Sequence, residues 1–120
     1  MKIAITAMDN NQQAAVDPRF GRAKWFILHD TEKATWEAFD NTQNLQATQG
    51  AGIQAAANVV NTGCTVLISG HCGPKAFRAL AAAGVAVFCL PGECTVRKAV
   101  DVFMNGTLAQ LEGADVEGHW

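Results

Sequence analysis

The chain has 120 residues, of which 49% are hydrophobic and 17% charged, and its formal net charge is −2. These values fit one globular domain rather than a disordered chain, and they exclude a global basic field that would attract nucleic acid or a membrane surface. No apolar run approaches the about 18 residues that span a bilayer, and Met1-Lys2-Ile3-Ala4-Ile5 lacks the pattern of a signal peptide. The expectation is a single cytoplasmic domain over residues 1–120 whose four cysteines remain thiols.

Ile3, Ile5 and Ala7 alternate with small or polar neighbours, which predicts a first strand over residues 2–8. Asp9-Asn10-Asn11-Gln12-Gln13, running on to Asp17-Pro18, predicts a loop of about ten residues, long enough to be a functional segment. Residues 24–30 (KWFILHD) have a continuous apolar centre and predict a strand buried on both faces. Thr31-Glu32-Lys33 then turns the chain into residues 34–40 (ATWEAFD), a hairpin partner at a sheet edge. Residues 41–49 form a polar connection.

From Gly50 the pattern changes period. Ile53, Ala56, Ala57 and Val60 make an i, i+3, i+4, i+7 stripe, which predicts one helix over residues 50–61 with that stripe on the core. Residues 64–69 (CTVLIS) are a buried strand. Gly70-His71-Cys72-Gly73 is a turn, and Pro74 suits the first position of a helix that Gly84 ends. Residues 85–90 (VAVFCL) are another buried strand. Pro91-Gly92-Glu93-Cys94 is a second turn, and Val96, Ala99, Val100 and Phe103 define a third helix. An antiparallel start followed by βα repeats predicts an α/β domain with a mixed sheet of five strands, flanked by helices.

Ligands of open α/β sheets bind at the carboxyl ends of the strands. Here those ends carry the long loop and the two glycine turns, and both turns run into helix N-termini, which favour anions. The alternative is that the glycines only make tight βα turns. Gly50-Ala51-Gly52-Ile53-Gln54-Ala55 matches a dinucleotide fingerprint, but it follows a polar connection and no acidic residue ends the next strand. Gaps of seven, sixteen and four residues between Cys64, Cys72, Cys89 and Cys94 are not a zinc-ribbon spacing. Cys64 and Cys89 read as core thiols. Cys72 and Cys94 occupy equivalent turns, where they would share a crevice and contact a metal, with Cys94 favoured as thiolate by its helix. His71 is either a soft-metal ligand or a solvent-exposed loop residue. Arg19, Arg22 and Lys24 either line a solvated face or receive a bulky anion. No matched acid and base emerges for catalysis.

Asp17-Pro18-Arg19-Phe20-Gly21-Arg22-Ala23, Phe26, Asp30, the run from Gly50 to Ala56, and Gly73-Pro74-Lys75-Ala76-Phe77 together resemble the dinitrogenase iron–molybdenum cofactor biosynthesis family. The resemblance spans nearly the whole chain, with the motifs in order. It implies a ribonuclease-H-like fold and a carrier of metal–sulfur clusters rather than an enzyme. It is closest to short stand-alone members that hold a molybdenum–copper sulfide cluster without covalent attachment. Cofactor-carrying members have a His-Phe-Gly motif whose histidine is implicated in the cofactor, and here Arg19 takes that position. A fixed cation suits a closed anionic cluster held by charge, and equally a member that has lost metal binding.

The leading reading is therefore non-covalent binding of an anionic molybdenum–copper sulfide cluster, or another molybdenum–sulfur or iron–molybdenum–sulfur cluster. The expected cofactor-binding set is Met8, Arg19, Phe20, Gly21, Arg22, Lys24, Gly50, Gly52, His71, Gly73, Lys75 and Thr95, with Cys72 and Cys94 as candidate metal contacts and no catalytic residue. The partners implied are the inorganic cluster and a cytoplasmic ATPase or cofactor-assembly protein, with neither nucleic acid nor membrane. The alternatives are a regulatory module of the same fold without metal, or a nuclease. The second needs several carboxylates around metal ions, and the strand-end turns offer only Glu93.

Overall fold

The computed structural model describes residues 1–41 and 51–111. Its elements in chain order are β1 (Lys2–Ala7), β2 (Trp25–Asp30), β3 (Thr35–Asp40), α1 (Ala51–Asn61), β4 (Val66–Ser69), α2 (Pro74–Ala82), β5 (Ala86–Cys89), α3 (Val96–Met104) and β6 (Ala109–Gln110). The strands form one sheet in the order β3-β2-β1-β4-β5-β6. The hairpin β2–β3 and the pair β1–β2 are antiparallel, whereas β4 pairs parallel to both β1 and β5. This is a ribonuclease-H-like mixed sheet with six strands among the described residues, one more than the pattern predicted. The sixth consists of Ala109 and Gln110 set antiparallel against Cys89 and Phe88, too short to show an alternation in sequence.

Strand alternation divides the core into two layers. Ala4, Phe26, Leu28, Leu67 and Val87 face one side, where Ala55, Ala56 and Val59 of α1 and Ala76 and Leu80 of α2 cover them. Ile3, Ile5, Ala7, Ile27, Val66 and Ile68 face the other side, where Val96, Ala99 and Val100 of α3 lie. We call these the α1/α2 face and the α3 face.

The stripe expected on α1 is turned by one residue. Gly52, Ala55, Ala56 and Val59 are the buried positions, while Ile53 is 46% exposed and Ala57 is exposed. Both quartets have the same i, i+3, i+4, i+7 spacing, so period alone does not choose between them. The smaller set faces inward because α1 also packs closely on α2, and small side chains let the two backbones approach. The third strand begins at Thr35 rather than at residue 34 because Ala34 takes φ 55° to close the hairpin turn.

Candidate functional site

β1, β4 and β5 end together, and the chain after β1 crosses that end as a strap. The strap starts on the α3 face. Ala14 joins that core, Met8 N–H donates to the Ala15 carbonyl (2.9 Å), and Val16 N–H donates to the Cys94 carbonyl (2.9 Å). It crosses the sheet end at Asp17, whose N–H donates to the Thr6 carbonyl (2.9 Å) and whose carbonyl accepts from Thr6 Oγ1 (2.6 Å). It finishes on the α1/α2 face, where Phe20 and Ala23 are fully buried. There His71 N–H donates to the Pro18 carbonyl (2.8 Å), Phe20 N–H donates to the His71 carbonyl (3.2 Å), and Arg19 pairs with His71 as a parallel bridge. Buried Asn41, just past β3, ties the strap's exit through its Nδ2 to the Ala23 carbonyl (2.8 Å) and its N–H to the Lys24 carbonyl (2.9 Å).

This path sorts the residues singled out from sequence. Arg19, His71 and Gly73 come together on the α1/α2 side, at the start of α2, with Lys75 exposed one residue into that helix. Gly52 is buried in the first turn of α1, which packs on α2. Gly21 is buried, Arg22 half-buried, and Lys24 exposed. Phe20, named in the expected cofactor-binding set, is a fully buried core anchor with its ring 5.6 Å from that of Phe26. Met8 stands at the head of the strap with its side chain partly exposed. Gly50 lies outside the described residues.

Thr95 and Cys94 fall on the opposite side. The α3 N-terminus is already filled from within: Val96 N–H donates to the Ala14 carbonyl, Arg97 N–H to the Gln12 carbonyl (both 2.9 Å), and Lys98 N–H to Thr95 Oγ1 (3.2 Å). Thr95 is a helix cap, and the amides that follow it hold the strap. At α2 the arrangement differs. Gly73 is the N-cap with no side-chain hydrogen bond, and Pro74 brings no N–H of its own. The positive end of α2 therefore meets Arg19 and His71 without a capping side chain.

The expectation that Cys72 and Cys94 share a crevice is not met. Cys72 is fully buried in the α1/α2 core, whereas Cys94 packs against the α3 core. The sheet separates them because the turn 70–73 enters a helix on one face and the turn 91–95 enters a helix on the other. Nor is Cys94 a thiolate poised by its helix: burial pushes its thiol up, against the opposing pull of Lys98. Cys64 is raised by burial as well. Cys89 is half-buried and donates from Sγ to the Gly70 carbonyl at 2.8 Å. All four cysteines stand as thiols.

Sequence reasoning missed the polar hub under the strap. Thr6 Oγ1 also lies 3.0 Å from Ser69 Oγ, linking β1 and β4 beneath Asp17. Asp17 is buried, its Oδ1 accepts Arg19 N–H (3.0 Å), and its Oδ2 has no partner. Burial pushes its carboxyl pKa up, opposed by the Arg19 amide and by the charges of Arg19 and Lys24. The available signal was Thr6, a polar residue inside an otherwise apolar strand.

The sequence pattern of the family described as dinitrogenase iron-molybdenum cofactor matches residues 1–106. The chain belongs to that family. The solved structure of the apo form of the orange protein from Desulfovibrio gigas is similar along 96% of each chain, with 41% identity and a TM-score of 0.92. A candidate NifB protein of the DUF35 family from Thermotoga is similar over 98% of each chain, with 34% identity and a TM-score of 0.84. An uncharacterized protein of Methanocaldococcus jannaschii shares 28% identity over 115 residues, 93% of this chain and 92% of that protein. Family membership supports a cofactor-binding role. Among the described residues of this family member, no three His, Cys, Asp or Glu side chains gather as a metal cage.

Proposed function

We propose that this protein holds an anionic metal–sulfur cluster of the molybdenum–copper sulfide type without covalent attachment, as a carrier rather than a catalyst. The observation that carries the reading is the backbone bridge between Arg19 and His71 beside the N-terminus of α2, which is capped by Gly73 and begins with Pro74. A permanent cation and a helix dipole there favour the same sign of charge. The family supplies the cofactor class, and the resemblance read from the motifs supplies molybdenum and copper.

In a sulfide-bridged cluster the metals are already saturated, so the protein's task is to bind sulfide anions. Arg19 and Arg22 supply charge-assisted hydrogen bonds, each contributing about 1–3 kcal/mol near a sheltered anion. The glycines at 52 and 73 keep side chains off the helix starts, and Lys24 and Lys75 add exposed positive charge. Cys72 and Cys94 lie on opposite faces of the sheet, which speaks against both thiols ligating one cluster. A cytoplasmic setting, where thiols stay reduced, goes with this reading; no helix among the described residues is long and apolar enough to cross a membrane. The test is metal and sulfide analysis, with a visible spectrum, of protein isolated without oxygen. A coloured protein containing molybdenum, copper and sulfide is expected. A colourless, metal-free protein that also takes up no colour from tetrathiomolybdate with copper(I) would refute the reading.

A further inference from the structure

Asp17 and Arg19 form an ion pair whose two halves differ in mobility. The carboxylate is 1% exposed, and its residue is fixed through backbone N–H and C=O to Thr6 and through Oδ1 to the Arg19 amide. The guanidinium is 47% exposed, and its Nε lies 3.8 Å from Asp17 Oδ1, too far for a strong hydrogen bond. Asp17 Oδ2 is buried and has no partner. If an anion draws the guanidinium outward, the carboxylate cannot follow. It is left buried without its counter-ion, a state costly enough that such a group takes up a proton instead.

We propose that Asp17 is a positioning residue of the anion site: it parks Arg19 in the free protein and yields it to the incoming anion, taking one proton from solvent in exchange. The inference rests on the cluster-binding reading and deepens it, because it makes binding proton-linked. Burial already pushes the Asp17 carboxyl up in the free protein, and loss of Arg19 to the anion pushes it further. The charged groups near Asp17 are Arg19 and Lys24, both from the strap. β1 and β4 offer only neutral Thr6 and Ser69. The two turns packed against the strap carry the remaining titratable groups: His71, whose backbone pairs with Arg19, and the Cys72 thiol on one side, and Glu93 and Cys94 on the other. In this scheme affinity for an anion falls as pH rises between the Asp17 pKa of the free protein and that of the complex, by up to about tenfold per pH unit.

Two measurements test this. The first is calorimetric titration of the full chain with tetrathiotungstate, in buffers of different ionisation enthalpy, to count protons taken up per anion. Wild type should take up a fraction approaching one proton, and Asp17→Asn should lose that uptake and the associated pH slope. Uptake retained in Asp17→Asn but lost in His71→Gln assigns the proton to His71 and overturns the proposal. The second needs no ligand: the Asp17 carboxyl carbon is titrated by NMR in wild type and in Arg19→Ala. The Asp17 pKa should rise in Arg19→Ala, and an unchanged value overturns the proposal. Wild type that binds no anion, while the Asp17 pKa still responds to Arg19, would refute the cluster reading and leave the ion pair standing.

Discussion

At the scale of single residues, contacts at the sheet end decide which changes are tolerated. A Cβ added to Gly70 would lie 2.6 Å from Pro18 Cα and 2.7 Å from Pro18 O. Both are backbone atoms, so the strap must shift, and the His71 N–H to Pro18 C=O bond (2.8 Å) shifts with it. Gly70→Ala should therefore destabilise the domain by about 1–3 kcal/mol, measured by denaturant unfolding, whereas Gly92→Ala, which meets nothing within 4 Å, should not. The two structurally held aspartates have opposite pH signs. Asp17 has a raised pKa when folded, so its contribution is full below the unfolded value and is lost as pH rises through the folded one. Asp30 accepts N–H bonds from Lys33 and Glu32, and its pKa is lowered. Its contribution is present above the unfolded pKa of about 3.9 and is lost as pH falls through the folded value. Unfolding followed across acid pH should show Asp17→Asn gaining on wild type as pH rises towards neutral. A constant gap would show that the carboxyl does not titrate with folding.

At the scale of elements, the sequence was most informative where pattern and burial coincide. The alternation in residues 2–8 and the apolar centres of β2, β4 and β5 read directly as strands because each strand packs on both faces. The α1 helix was legible as a helix but not in its orientation, since an alanine-rich segment presents two equally spaced stripes. That rotation has a direct test. Ala55→Leu should destabilise the domain by about 1–3 kcal/mol by overpacking, while Ile53→Gln, at an exposed position, should change stability by less than about 0.5 kcal/mol. The reverse order in denaturant midpoints would restore the stripe first read from sequence. The two glycine turns also looked equivalent in sequence. They are not, because α2 and α3 lie on opposite faces, and only the strap's carbonyls reveal that the α3 N-terminus is closed.

At the scale of the whole molecule, the gathering of the long loop and both glycine turns at the carboxyl end of the sheet was legible, because the βα alternation after Gly50 places both turns there. Its division was not legible. The strap lies across the sheet end, leaving Arg19, His71 and Gly73 on one side and Cys94 and Thr95 on the other, and it does so through backbone hydrogen bonds that no side-chain pattern encodes. Phe20, expected in the cofactor-binding set, is a core anchor for the same reason. The central claim is that charge and helix amides, not thiolates, hold the cluster. Its most direct test is reconstitution without oxygen, using tetrathiomolybdate and copper(I), of wild type, Cys94→Ser, Cys72→Ser and Arg19→Ala/Arg22→Ala, each first checked for an intact fold. Both serine variants are expected to keep the wild-type visible spectrum and stoichiometry, and the double arginine variant to bind at least about tenfold more weakly. Loss of colour in either folded serine variant, with full binding in the double arginine variant, would contradict the central claim and make direct thiolate ligation the correct description.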